Sequence, residues 1–264
     1  MLITAAIVPG PPAFVPDLMG DAAHELDRLR HAADAVVSRA VSDLVAASAD
    51  PSFFDSDSAQ LVVVGAGEPG EFDSVGPVSF ASFGRDVVVP ALAERAQSAT
   101  DGRPLPTPLM VGRYLASRDV AAHPEHAGLW ASARWLTTSG TDAASLGEEL
   151  RRDRKPMALI VVADGAICHG PKAPRAEDSR APAYEDDVCA ALASGLPLPG
   201  RLAHIDDDLG RELGATGLQV WPVLIAAADG ECVGELLWRG APYGVGWAVA
   251  SWRRNPSGDD VVRT

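Results

Sequence analysis

Apolar residues follow two rhythms along this chain. Ile3 to Val8, interrupted by Thr4 alone, and the continuous Leu61 to Val64 and Ala158 to Val162 are short apolar runs, the middle one β-branched throughout after its leucine. Such runs read as strands buried on both faces. From Pro16 to Ala49 the pattern changes: Leu26, Leu29, Ala33, Val36, Val37 and Ala40 recur at three- and four-residue steps. That spacing predicts a long amphipathic helix, ended by Asp50-Pro51-Ser52. Leu109 to Ser117, Asp142 to Arg152 and about Pro182 to Ser194 predict further helices, the second with Asp142 as N-cap. Leu209 to Leu213 and Leu218 to Ala228 are additional helical segments. Leu129 to Thr138 suits either element, because Trp130, Ala133 and Leu136 fit both periods. Gly65 to Gly84 has no helical period and reads as a long loop holding a short strand at Val78 to Phe83. Cys232 to Arg239 and Val245 to Trp252 are strand-like.

Buried strands alternating with helices imply an α/β fold: a layered, largely parallel central sheet flanked by helices, with antiparallel terminal strands. The 264 residues contain no internal repeat and no separating linker, so residues 1–255 are expected to form a single domain. Residues 256–264 read as a polar, disordered tail.

Composition narrows the function classes. Hydrophobic residues at 47% exclude wholesale disorder, and a net charge of −14 argues against a nucleic-acid or anionic-membrane surface. Three scattered cysteines, Cys168, Cys189 and Cys232, form neither a disulfide framework nor a zinc knuckle. The first apolar run lacks a basic flank and stops at prolines, too short for a signal sequence or a span. No other run approaches about 18 residues. A soluble, cytoplasmic protein is expected, acting on an unidentified small molecule or protein, and compatible with a homo-oligomer.

Several motifs invite chemistry. Gly65-Ala66-Gly67-Glu68-Pro69-Gly70 matches a dinucleotide pattern, yet Pro69, Gly70, Gly76 and Pro77 prevent the helix that would meet a pyrophosphate. It is expected to be a turn. His123-Pro124-Glu125-His126 gathers two imidazoles and a carboxylate, but its proline and small neighbours favour a solvated loop. Asp206-Asp207-Asp208 fits favourable charge at a helix N-terminus better than a cation loop. His24 and His31 share a helix face and are expected to be exposed or capping.

The richest segment is Ala163 to Arg180, which leaves a buried strand where open α/β sheets place ligands. It carries Asp164, Cys168, His169, Lys172, Arg175 and Arg180, with Gly165 and Gly170 allowing sharp turns. His169 can act as a general base, and Lys172 or an arginine can hold an anionic or oxyanionic group. The competing reading is a surface loop pinned by local salt bridges. Cys168, without a second thiol nearby in sequence, reads as inert.

The first strand with Pro9-Gly10-Pro11-Pro12, the Asp164 to Pro174 loop with Lys172-Ala173-Pro174, and Ser179-Arg180-Ala181 running to Tyr184-Glu185-Asp186 occur in a characteristic order. The series continues through Gly217 to Leu224 and closes with Ala241-Pro242-Tyr243-Gly244-Val245-Gly246-Trp247. Over most of the chain this resembles the class III extradiol ring-cleavage dioxygenase B-subunit superfamily, in its uncharacterised actinobacterial branch related to Memo-type proteins. The resemblance implies a central sheet with a pocket at the strand ends. Catalytic members of that superfamily hold Fe(II) with two histidines and a carboxylate.

Transferred by position, the first ligand falls at Gly10, the second near Ala66 and the third around Thr216 to Leu218, none of which supplies a ligating side chain. The family's base histidine matches His169. The resemblance therefore implies a divergent, metal-free member, with no cofactor expected and no ring cleavage. Its expected site has Asp164 and His169 as acid–base residues, with Gly10, Pro11, Ala66, Lys172 and Tyr243 facing the ligand. The alternative is a metal-dependent oxidoreductase of catechol-dioxygenase type, or a hydrolase, using non-standard ligands drawn from His169, Asp164, Cys168 and Glu68.

Overall fold

A computed structural model describes residues 1–49, 59–73, 76–93, 104–153, 155–194, 202–228 and 232–255. Nine strands are described: β1 Leu2–Val8, β2 Gln60–Ala66, β3 Gly70–Phe72, β4 Val78–Ser79, β5 Val88–Val89, β6 Arg134–Thr138, β7 Met157–Val162, β8 Cys232–Gly240 and β9 Trp247–Arg254. Seven form one sheet in the order β3-β6-β2-β7-β1-β9-β8, while β4 and β5 make a separate ribbon. The central four, β6, β2, β7 and β1, are parallel; β3, β9 and β8 run antiparallel at the edges. The architecture is therefore α/β with a mixed, largely parallel central sheet.

Helices among the described residues include α1 Pro16–Met19, α2 Asp27–Ser48, α3 Thr107–Ala122, α4 Ala127–Ala131, α5 Gly140–Arg152, α6 Ala181–Ser194, α7 Asp207–Leu213 and α8 Trp221–Ala227. Alternation along the strands divides the core. Leu159 and Val161 of β7 face the layer of α5, α6 and α8. Ala158, Ile160 and Val162 face α2 and α3 on the other side. The continuous apolar runs follow from this, since each central strand is covered on both faces.

Several expectations change in detail. The predicted helix from Pro16 is broken: Gly20, at φ 56°, closes α1, a 3-10 segment covers Gly20–Leu26, and the long helix begins at Asp27. Its predicted stop at Asp50-Pro51-Ser52 lies outside the described residues, as does the 256–264 tail. Leu129 to Thr138 is ambiguous because it is both elements, a short helix and then β6. Asp142 is not the N-cap of α5; Ser139 holds that position and Asp142 sits in the first turn, where its charge suits the helix dipole. The Gly65 loop contributes β3 to the main sheet, and the strand expected at Val78 to Phe83 shrinks to β4 plus a 3-10 turn. Among the described residues, no helix is long and apolar enough to cross a membrane.

Candidate functional site

Strand β7 lies between β1 and β2, so the carboxyl ends of all three converge where the chain crosses over in opposite directions, the usual position of sites in open α/β sheets. The Ala163 N–H donates to the Val8 carbonyl at 2.9 Å and prolongs the β1–β7 ladder. Asp164 then leaves it. Its N–H donates to Thr216 Oγ1 at 3.1 Å, and its carbonyl accepts the N–H groups of Thr216 and Gly217 at 3.0 and 2.9 Å. The following residues pair with the loop before β9: Gly165 N–H to the Gly246 carbonyl, Gly246 N–H to the Ala166 carbonyl, and His169 N–H to the Gly244 carbonyl, at 2.8, 2.7 and 3.0 Å. The segment is thus tied backbone to backbone on two sides. Exposed salt bridges pin its outer end, where Arg180 pairs with Asp178 and Glu212.

The Asp164 carboxylate turns toward β1 and accepts the Gly10 N–H at 3.0 Å. Although part of the residue reaches solvent, burial of the carboxyl pushes its pKa up to about 6. The Gly10 hydrogen bond opposes that rise, the negative Glu185 adds to it, and the indole N–H of Trp247 opposes it. Trp247 stands near without meeting hydrogen-bond geometry, its Nε1 being buried and unpartnered. Asp164 can therefore carry a proton near neutral pH, the property an acid–base group needs.

Glu185, on the first turns of α6, is the residue that sequence reasoning missed. Its Oε2 accepts the Ala166 N–H at 3.2 Å and stands 3.7 Å from His169 Nε2, which is buried and makes no hydrogen bond. The carboxylate fills the space above two glycines: a Cβ at Gly165 would lie 2.2 Å from Oε2, and one at Gly246 2.1 Å from the same atom. Those glycines were the available signal, since both flank the segments singled out in the sequence. Tyr184, beside Glu185, buries a hydroxyl with no partner. Asp164, Glu185 and Tyr184 line an internal cavity of about 10 Å³, the size of one water molecule, closed by Ile7, Trp221 and neighbouring apolar side chains. The cluster can exchange protons through such a water; it cannot admit an aromatic ring.

The positions expected to face a ligand are arranged differently. The first turn of α3 closes the ends of β1 and β2. A Cβ at Gly65 would meet Pro108 Cβ at 2.5 Å, and a Cβ at Gly10 would meet Val162 Cγ1 at 2.9 Å and Pro108 Cα at 3.6 Å. Pro11 precedes a 3-10 turn and Ala66 is half-buried at the end of β2. Lys172 is exposed. Tyr243 is also exposed, with φ 58°, and is held by its hydroxyl donating to Glu25 at 2.6 Å and by an edge contact with Trp247. The structure therefore joins Gly10 to Asp164, sets Asp164 and His169 near Glu185, and leaves Lys172 and Tyr243 at the surface.

The positions that the resemblance gives to iron carry few donors. Gly10, Ala66 and Thr216 to Leu218 offer no carboxylate, imidazole or thiolate, and among the described residues no three His, Cys, Asp or Glu side chains converge as a metal-binding group. The alternative ligands do not assemble: the Cys168 thiol turns into the core to donate to the Leu213 carbonyl at 3.6 Å, and Glu68 is exposed. Burial raises the Cys168 pKa, in keeping with an inert thiol.

A larger cavity of about 790 Å³ lies on the outer side of α6. Asp187, His204, Asp206 and Arg180 contribute polar groups, with Tyr184 at its inner wall and Ile205 and Leu209 among its apolar lining. Arg180 is occupied by Asp178 and Glu212, and Asp206 caps α7 by accepting the Leu209 N–H.

No family model matches the chain, and no curated protein matches it. Among solved structures it is similar to the uncharacterized protein JW3007 from Escherichia coli K12, with 13% identity over 96% of this chain and 100% of that one, at a TM-score of 0.45.

Proposed function

We propose that this chain is a divergent, metal-free member of the extradiol B-subunit-like class that binds a small molecule and does not cleave aromatic rings. The observation that carries this reading is the seating of Pro108 against Gly65 and Gly10. The space where ligands and a catechol would meet in the resembled enzymes is packed with the first turn of α3. The buried Asp164–Glu185–His169 group then works as a proton-holding polar core that fixes the 164–169 segment against the 244–246 loop. Binding falls to the 790 Å³ cavity outside α6, within the range of small-molecule sites. With Arg180 neutralised by its two carboxylates, Asp187 and Asp206 leave that cavity an excess of negative charge over an apolar floor. Its ligand is accordingly a small amine with an apolar body.

Two measurements test the proposal. Protein purified anaerobically with Fe²⁺, Mn²⁺ and Zn²⁺ offered in turn should retain no stoichiometric metal by elemental analysis; tightly held metal with oxygen-dependent turnover of catechols would overturn it. Titration calorimetry with a panel of aromatic and aliphatic amines should find binding that Asp187→Asn weakens by about tenfold, the loss of one charge-assisted hydrogen bond. Amines that bind equally well to both proteins, or no binding across the panel, would reject the cavity assignment.

A further inference from the structure

A second polar assembly lies away from the strand ends, between α2 and the turn after α3. The segment His123-Pro124-Glu125-His126 is expected from sequence to be a solvated loop. His126 is instead buried, at 3% exposure. Its Nδ1 lies 2.9 Å from Asp119 Oδ2, and the same buried carboxylate accepts Trp130 Nε1–H at 2.7 Å and the Ser38 hydroxyl. His123 stacks on the imidazole with ring centroids 5.0 Å apart. Asp119 accepts at every bond, so in neutral His126 the hydrogen sits on Nδ1 and the lone pair on Nε2. Nε2 points to Ser42 Oγ, 3.5 Å away on α2, and Ser42 is exposed.

Carboxylate, imidazole and hydroxyl thus stand in the order that activates a serine, with the base locked in one tautomer by a carboxylate that itself holds two further donors. We infer that Ser42 is a nucleophile toward small carboxylic esters, with His126 as its base and Asp119 as a positioning residue. Ser42 Oγ attacks the ester carbonyl carbon while its proton passes to His126 Nε2. The carbon–oxygen bond to the leaving alcohol breaks, and the alcohol takes that proton. Water, deprotonated by the same imidazole, then releases the acid and restores the hydroxyl.

The surroundings set the substrate class. A helix interior has no free N–H for an oxyanion, and the cation nearest in sequence, Arg39, is paired with Glu235 of β8 at 3.2 Å, so the developing charge is left to solvent. Val45, 42% exposed one turn later, is the apolar contact for an acyl chain. Esters with short acyl groups and good leaving groups fit this open site; amides do not.

The test is exposure of the full chain to p-nitrophenyl acetate, with p-nitrophenolate release followed by absorbance and acetylated peptides quantified by mass spectrometry. Ser48 is the internal control, because it lies on the same helix but its hydroxyl donates to the Leu44 carbonyl instead of facing an imidazole. Ser42 should be acetylated about 100-fold faster than Ser48, the lower end of general-base assistance. Ser42→Ala, at an exposed helical position that accepts alanine readily, should reduce release to background. Asp119→Asn should slow acetylation by about 100-fold and abolish a downfield His126 Nδ1–H resonance present in the unmodified protein. Equal labelling of Ser42 and Ser48, or release unaffected by Ser42→Ala, would overturn the inference.

Discussion

Replacing Asp164 by asparagine should stabilise the protein near neutral pH and do little in acid. The carboxyl is raised from 3.8 to about 6 in the folded state, chiefly by burial. The folded chain therefore holds this proton more tightly than the unfolded one. Stability from protonation is fully present below about pH 4 and is lost as pH rises through about 6. A shift of about two units corresponds to ~3 kcal/mol, and the solvent contact that Asp164 keeps reduces the expected gain to between about 1 and 3 kcal/mol. Asparagine retains the oxygen that accepts the Gly10 N–H, so the hydrogen bond at 3.0 Å should survive. For a chain of this size 1–3 kcal/mol is about 2–5 °C in melting temperature. Thermal melts of the two proteins at pH 4.5, 6 and 7.5 should diverge progressively with pH. A difference that is the same at all three values, or a loss of stability at pH 7.5, would refute the assignment of Asp164 as a group whose ionisation strains the fold.

Three other sets of substitutions probe the same region. Gly165→Ala and Gly246→Ala each place a methyl within 2.2 Å of Glu185 Oε2; each should cost about 1–3 kcal/mol in denaturant melts, and the double variant less than the sum, because one carboxylate obstructs both. Installing Gly10→His with Ala66→His should lower the melting temperature and recruit no stoichiometric Fe²⁺ by elemental analysis, since a Cβ at Gly10 already meets Val162 at 2.9 Å. Tyr243→Phe removes an exposed hydrogen bond to Glu25 and should cost no more than about 1 kcal/mol; a larger loss of stability, or any change in ligand affinity, would give Tyr243 a role that its position does not suggest.

The layered fold was legible in sequence because its signals are local. Leu61 to Val64 and Ala158 to Val162 could be read as double-faced strands without knowing their neighbours, and Leu29 to Ala40 carried its period within one helix. The site was legible only in part. The 163–180 loop stood out by its residue types, but Glu185 looked like any polar position on α6 until Gly165 and Gly246 came to lie beneath it. Pro108 gave no cue at all, since its contacts with Gly10 and Gly65 depend on how α3 is set against the sheet. His126 was misread for the opposite reason: its small, proline-bearing neighbours describe a turn correctly, while its burial comes from α2 and Asp119, which local pattern does not reveal.

The sheet order also dictates when the protein can fold. β1 is made well before either of its partners, β7 and β9: Leu2 pairs with Met157 and Thr4 with Arg253. Neither edge of β1 can be satisfied during synthesis until most of the chain has left the ribosome. β2 likewise waits for β6 and β7. Two strands apolar on both faces must therefore persist unpaired, the circumstance in which nascent chains associate wrongly. Such distant pairings slow folding as well. Amino-terminal fragments that stop before Met157 should accumulate as aggregates, and production of the intact protein should improve when elongation is slowed only after β9 has been made or when a holding chaperone is supplied throughout.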